Sequence, residues 1–393
     1  MDFYFSLGAA GAVIRLALDS MAMTNSNQQS ATLKTALIWT VALRLVYSAI
    51  GILAAPYLKL NPALIRSNDL TDNLMAREAG WVYRWLGVWE RFDTLWYLEI
   101  SRHGYERPDA VVFFPLYPLL IRALSLVVSP LAAALLISTV AAFFVFWGLQ
   151  KLLLLDMPKE TVNRSLQFFA LWPSAFILFA GYPESLLIAL MVWSVWFARN
   201  GNWWIAGLLG LLAGLTKAVG FCIVVPLVVL AFKEWRWRTW PSALPILAAP
   251  MMTMIIRLSG HSLASDAYPK HWRTEIAFPL VTLWASLREA FTTFDAALLL
   301  NLLALTAVFV PAFLKRIRAE YLLFNLATLT MFLTKKTDPL LQSSVRYVLA
   351  AFPAFASLAV LLRHPFLIAL GLLLMSLLQL VLLWSFFEWA LVV

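Results

Sequence analysis

The chain has 393 residues, of which 62% are apolar and only 13% charged, and it carries a formal net charge of +9. Soluble proteins average roughly 45–50% apolar and about 25% charged, so the composition points to a polytopic membrane protein. The apolar runs are continuous rather than alternating, which excludes a membrane β-barrel and leaves an all-α helical bundle. Lys and Arg are dispersed in short groups, so the positive charge reads as membrane orientation and phosphate attraction, with no nucleic-acid partner. A single cysteine, Cys222, excludes a disulfide framework, and four unpaired histidines argue against a zinc cluster.

Residues 1–30 are apolar in part but carry Arg15 and Asp19 and lack a basic leader, so they read as an N-terminal extension rather than a signal peptide. The first clear span covers about residues 33–57, with Arg44 inside it, a costly position unless the side chain turns to the bundle interior or snorkels. Residues 58–112 form the longest polar excursion, within a first outer loop of 58–130 that is expected to carry interfacial helices. Within it, Trp81, Trp85, Trp89, Phe92 and Trp96 fall at helical spacing, with Arg77, Arg84 and Arg91 beside them. That pattern predicts a helix lying in the head-group layer, aromatics down and arginines at the phosphates.

From Phe113 to Val128 the chain is apolar but short and holds Pro115, Pro118 and Arg122; residues 130–155 follow as a full-length span. If the shorter piece does not cross, the basic groups at Lys151–Arg164, Arg199, Lys233–Arg238, Lys315–Arg318 and Arg363–His364 all fall on one side. The piece is therefore expected to be re-entrant or a surface helix. Further spans are expected near 166–181, 184–199, 203–217, 219–232, 241–257, 294–314, 319–334, 341–362 and 366–391. The total is about 11 spans at some 20 residues each, with the amino terminus inside and the long loop outside. A second outer loop spans 259–292. No repeat or linker divides the chain, so one integral domain is the simplest organisation.

This topology gathers expensive groups at the outer ends of spans: Asp93, Glu99, Arg102 and His103 in the first loop, Glu184 after Gly-Tyr-Pro, Lys217, then Lys335, Lys336, Asp338 and Arg346 with Tyr347. One carboxylate among bases suits a base that meets a phosphate-bearing substrate.

Five stretches carry a resemblance. Arg91-Phe-Asp-x3-Tyr-Leu-x-Ile-x3-Gly-Tyr105, continued by Phe113-Phe-Pro-Leu-Tyr-Pro-Leu119, resembles the first luminal loop of the PIG-V-type mannosyltransferases, the GPI mannosyltransferase 2 family. Trp172-Pro-Ser with Gly181-Tyr-Pro-Glu-Ser-Leu186, Gly214-Leu-Thr-Lys-Ala-Val-Gly220, the Trp272-Arg273 region and Ser344-Val-Arg-Tyr through Pro353 follow in the same order. The family belongs to the GT-C superfamily. The resemblance therefore implies an all-α bundle of GT-C type that moves a sugar, mannose above all, from a polyprenyl- or dolichyl-phosphate carrier. The acceptor hydroxyl would belong to a glycolipid or glycan on the non-cytoplasmic face. By the same likeness Asp93 is the base of an inverting transfer; among the charged and polar groups gathered with it, Arg346, Lys217 and Tyr347 are the candidates for the donor phosphate, and Glu184, His103, Trp272 and Arg273 for binding substrate. Nothing in the motifs requires a metal or other cofactor. Three positions depart from the family pattern: Phe92 where Trp is common, Lys217 where Arg is usual, and Pro183 where a small hydroxyl residue often stands. A transporter of lipid-linked intermediates, or an inactive subunit, is the competing expectation. The former predicts paired broken helices in two related halves, and the sequence shows no such symmetry.

Overall fold

A computed structural model describes residues 30–61, 65, 70–71, 74–234, 236–261, 264–315 and 317–390; the N-terminal extension, apart from Ser30, lies outside the described residues. The helices are α1 (Ser30–Ala54), α2 (Trp81–Trp85), α3 (Asp93–His103), α4 (Leu116–Leu124), α5 (Pro130–Leu153), α6 (Lys159–Ala170), α7 (Glu184–Arg199), α8 (Trp203–Gly214) and α9 (Val224–Glu234). They continue with α10 (Ala248–Leu258), α11 (Ala264–Trp272), α12 (Pro279–Thr293), α13 (Ala296–Leu314), α14 (Ala319–Thr334), α15 (Ser344–Tyr347), α16 (Phe352–Leu361) and α17 (Pro365–Phe387). The fold is an all-α membrane bundle.

Among the described residues, five helical stretches are long and apolar enough to cross a bilayer: α1, α5, the run Trp237–Leu258, α13 and α17. A sixth is the pair Ser344–Ala350 and Phe352–Leu361 if its 91° bend lies within one span. The other segments expected as spans are shorter. α8 and α14 are apolar helices of less than spanning length, and residues 166–181 are not one helix. There α6 stops at Ala170, and a single 3-10 turn, Ala175–Phe179, precedes α7.

Helix ends follow local chemistry. Pro130 opens α5 at a position whose N–H would be unbonded anyway, and Ser129 Oγ accepts from the Ala132 N–H at 3.3 Å. Asp295 caps α13, its Oδ1 accepting from the Leu298 N–H at 2.7 Å. Apolar residues face outward as well as inward: Leu373, Leu374 and Val381 on α17 are more than half exposed, as befits a helix solvated by lipid.

The irregular segment between α6 and α7 is buried throughout from Trp172 to Ser185. Non-helical backbone at such depth must be satisfied by protein, and surrounding helices do so. Arg44 Nη1 of α1 donates to the Phe179 carbonyl at 2.8 Å, Ser138 Oγ of α5 to the Tyr182 carbonyl at 3.0 Å, and Gln379 Nε2 of α17 to the Trp172 carbonyl at 2.7 Å. Arg44 thus faces the interior, with its guanidinium 5.3 Å from the Trp89 ring centre.

The first loop departs from expectation in one respect. The Trp81–Trp96 stretch is not a continuous interfacial helix: α2, a 3-10 turn at Gly87–Trp89, and α3 are separate pieces. Phe92 takes a left-handed φ of 46° and redirects the chain. Trp81 and Trp85 are exposed, but Trp89 is fully buried and Trp96 nearly so. Trp89 and Phe92 leave the surface stripe because they pack on the end of α17, Trp89 against Phe387 at 5.2 Å and Phe92 against Trp389 at 4.8 Å. Arg91 does not reach outward either. It is buried, donating through Nε to the Phe387 carbonyl at 2.9 Å and through Nη1 to the Gly87 carbonyl at 2.9 Å. In the Phe113–Val128 piece, α4 has nine residues, about 14 Å of helix and less than a bilayer crossing needs.

A two-stranded antiparallel ribbon joins the second loop to the end of α14. β1 (Thr274–Ile276) pairs with β2 (Lys335–Thr337) in the register Thr274–Thr337, Glu275–Lys336 and Ile276–Lys335.

Candidate active site

Asp93 is the first residue of α3, where the helix dipole favours a carboxylate. Its own N–H donates to the Tyr182 hydroxyl at 3.3 Å. Behind it, Thr94 lies against Gly181 so closely that a Cβ on Gly181 would come within 2.5 Å of Thr94 Cγ2. The Gly-Tyr-Pro-Glu motif and the Arg-Phe-Asp motif are thus locked face to face, and only glycine permits that approach.

Arg346 comes from α15, 253 residues later in the chain than Asp93. Its backbone is held at Val345, whose carbonyl accepts from Trp172 Nε1 and Ser174 Oγ, both at 2.8 Å, and whose N–H donates to Asn301 Oδ1 at 3.0 Å. The guanidinium sits between two phenol rings, 5.1 Å from the Tyr182 centre and 5.0 Å from that of Tyr347. Nη1 donates to Asp93 Oδ2 at 2.9 Å and Nη2 to the Tyr347 hydroxyl at 3.3 Å. Nε lies 3.2 Å from Glu184 Oε1 but is not directed along a hydrogen bond. Glu184 also receives Lys217 Nζ at 2.6 Å, and that ammonium lies 4.7 Å from the Tyr347 ring centre. Glu184 and Arg346 side chains are each 5% exposed and Asp93 23%. One carboxylate is therefore buried as a brace for two cations, while the other remains open.

Asp93, Lys217, Trp272, Arg346 and Tyr347 line a cavity of about 160 Å³, together with Lys335, which no motif assigned to the site. Glu184 stands behind this lining. Trp272 packs edge-on to Trp96 and Phe113, each at 5.3 Å, and its Nε1 donates to the Asp109 carbonyl at 3.0 Å. The structure does not bring the other two candidates to the cavity. His103 lies at the far end of α3, its Nδ1 paired with Glu99 at 3.1 Å. Arg273 is exposed, with a left-handed φ of 45°, and its carbonyl accepts from the Asp338 N–H at 3.2 Å.

Lys335 was visible in the sequence only as half of a Lys-Lys pair. Strand alternation separates the two: Lys335 shares its face with Thr337, Thr274 and Ile276, while Lys336 opposes Glu275, 3.9 Å away, on the other. Burial opposes charge on Lys335, but the Tyr268 and Tyr347 hydroxyls outweigh it and hold the ammonium above the usual lysine range. Among the described residues no three His, Cys, Asp or Glu side chains gather as a metal site would require. The lining therefore presents three cations, Lys217, Lys335 and Arg346, around one accessible carboxylate. Such a pocket can bind a phosphate anion and accept a proton beside it.

The family described as mannosyltransferase (PIG-V) matches residues 37–234, half of the chain. The chain belongs to the PIG-V mannosyltransferase family. The matched region includes Asp93, Glu184 and Lys217 and ends before Trp272, Lys335 and Arg346, so the cavity joins the family region to the C-terminal third. No curated protein and no solved structure matches significantly. The family makes this chain a membrane glycosyltransferase that transfers mannose.

Proposed function

We propose that this PIG-V family member transfers mannose from a polyprenyl-phosphate carrier to an acceptor hydroxyl on a glycolipid or glycan, with inversion and with Asp93 as base. The observation that carries the reading is the single open carboxylate in a cavity otherwise lined by cations. Arg346 engages Asp93 Oδ2 and fixes the plane of the carboxylate, leaving Oδ1 without a bonded partner among the described residues. Oδ1 takes the acceptor proton as the hydroxyl oxygen bonds to the anomeric carbon. The bond from that carbon to the phosphate oxygen breaks on the opposite face, and its electron pair stays with the phosphate. Lys217 and Arg346 stabilise the charge that develops there, through interactions that need no rearrangement during the reaction. In this reading the active site lies on the extracytoplasmic face, supported by the expected grouping of the basic loops on the side opposite the long loop. The role suggested for Glu184 changes: braced between Lys217 and Arg346, it is a positioning residue rather than a substrate ligand.

A positioned carboxylate base contributes about 10²–10⁴-fold. Mannosyl transfer by Asp93→Asn, measured in membranes supplied with polyprenyl-phosphate mannose, is expected to fall by at least about 10²-fold while the thermal unfolding midpoint is preserved. Transfer by Asp93→Asn within threefold of wild type would remove Asp93 as base.

A further inference from the structure

We infer that the hydrocarbon chain of the donor lies in an apolar groove along α14 and that Lys335, at the neck between groove and cavity, receives its phosphate. This rests on the proposed lipid-phosphate donor and adds where that donor enters and what holds it.

A second cavity, of about 570 Å³, runs beside α14 and is lined by apolar side chains such as Val225, Leu323, Leu326 and Met331. Its volume is within the roughly 300–1,000 Å³ typical of ligand sites. It shares Ala218, Tyr268, Thr274 and Lys335 with the polar cavity that holds Asp93, so the two spaces lie side by side and meet at that neck. Leu323 and Leu326 are exposed on the outer surface, so the groove opens sideways, where lipid surrounds the bundle. An amphiphile with an anionic head and an apolar tail fits both spaces at once. A free phosphate or sugar phosphate would leave the groove unfilled.

Charge selects Lys335 as the first contact of the bound donor's phosphate, and Lys217 and Arg346 meet the further charge that develops on it as the bond breaks. Arg346 is engaged by Asp93 and Lys217 by Glu184, whereas Lys335 Nζ meets the Tyr268 hydroxyl at 3.3 Å and its ring at 4.9 Å. Of the three lining cations it alone has no carboxylate partner among the described residues, and it stands where the apolar lining gives way to the polar one. The β1–β2 pairing fixes it there, because the alternation that turns Lys336 outward turns Lys335 into the neck.

The test uses the full-length protein in nanodiscs and titrates a long-chain polyprenyl phosphate, a ten-carbon isoprenyl phosphate and inorganic phosphate. Lys335→Ala is expected to weaken long-chain binding by about tenfold or more, the loss of one charge-assisted contact, with Lys335→Arg restoring most of it. In transfer assays the donor KM rises while kcat changes little. Thr330 is exposed and lines the groove, so Thr330→Trp fills it without disturbing the core. That variant is expected to weaken the long-chain lipid and spare the ten-carbon one. Lys335→Ala binding within twofold of wild type, equal competition by inorganic phosphate, or equal effects of Thr330→Trp on both chain lengths would each overturn the inference. Wild-type protein that transfers mannose while Lys335→Ala binds normally sinks the neck and leaves the reaction. Lipid phosphate bound through Lys335 without any mannosyl transfer does the reverse.

Discussion

Arg346 touches two carboxylates and two tyrosines, and no other side chain in the site has so many polar neighbours. Its removal leaves Glu184 buried with only Lys217 and leaves Asp93 unoriented. Breaking a buried ion pair from one side costs about 3–5 kcal/mol, so Arg346→Ala is expected to lower stability by that order and to abolish transfer. Arg346→Lys keeps the charge but cannot reach Asp93, Glu184 and Tyr347 from one rigid fork. Stability is expected to recover while kcat stays at least about tenfold down, since one misdirected hydrogen bond to the base is worth that much. Thermal unfolding and single-turnover transfer on the same preparations separate the two effects; equal kcat for Arg346→Lys and wild type would show that orientation of Asp93 does not matter. At this scale the sequence was most informative where a charge sat in hydrocarbon. Asp93, Glu184, Lys217 and Arg346 stood out because burying them is expensive, and they do meet. His103 and Arg273 were drawn in by nearness along the chain, and helix α3 carries His103 about ten residues, or roughly 15 Å, away from Asp93. Lys335 could be named but not placed, because its direction depends on pairing with a strand some sixty residues earlier.

Whole elements were legible where apolar length decided them. α5, α13 and α17 appear where continuous apolar runs predicted spans. The segments that carry the site did not follow the length rule. The stretch 166–181 is apolar enough to be a span, yet it breaks at Trp172-Pro-Ser and is held by side chains from α1, α5 and α17. The run 341–362 bends by 91°. Left-handed φ values at Leu341 and Ser343 precede that bend, and another at Phe92 precedes α3; such residues cost about 1–2 kcal/mol each and persist where surrounding contacts impose them. Gly181 tests whether the break between α6 and α7 serves Asp93. A methyl there meets Thr94 at 2.5 Å, so Gly181→Ala is expected to displace the start of α3 and reduce transfer by at least about tenfold, as small misplacements in active sites do. Thr94 Oγ1 has no hydrogen-bond partner among the described residues, and Thr94→Ala removes the atoms in the way. The pair Gly181→Ala with Thr94→Ala is therefore expected to recover most of the activity. Additive losses in that double-mutant cycle would show that the two segments act independently.

On the scale of the molecule, charge is concentrated at both ends of α7 and α14. α7 begins with Glu184 in the site and ends with Arg199, a separation of roughly 23 Å. α14 carries Glu320 in its first turn and leads into Lys335. At the end remote from the site, Asp156 in the turn after α5 joins the two helices. Its carboxylate accepts from Arg199 at 2.7 Å and 3.0 Å, from Arg318 at 3.0 Å and from the Tyr321 hydroxyl at 2.9 Å. Glu320 pairs in turn with Lys233 at 2.7 Å and with Arg318. This network holds the helix ends together where the site cannot, and it has a pH signature. Burial acts to raise the Asp156 pKa, but the hydrogen bonds from Arg199, Tyr321 and Arg318 outweigh it and hold the carboxyl below the usual range. Its contribution to stability is then complete above the ordinary aspartate value of about 3.9 and is lost as pH falls below that toward the folded value. Asp156→Asn leaves two arginines facing each other and is expected to cost about 3 kcal/mol at neutral pH. Thermal unfolding in detergent should show a gap between wild type and Asp156→Asn that is constant from pH 7 to about 5 and narrows below about 4. Because the network stands a helix length from Asp93, kcat for mannosyl transfer at neutral pH should match wild type below the unfolding temperature. A gap that widens on acidification would refute the sign of this linkage. A fall in kcat with intact folding would show that the far ends of α7 and α14 are coupled to the site.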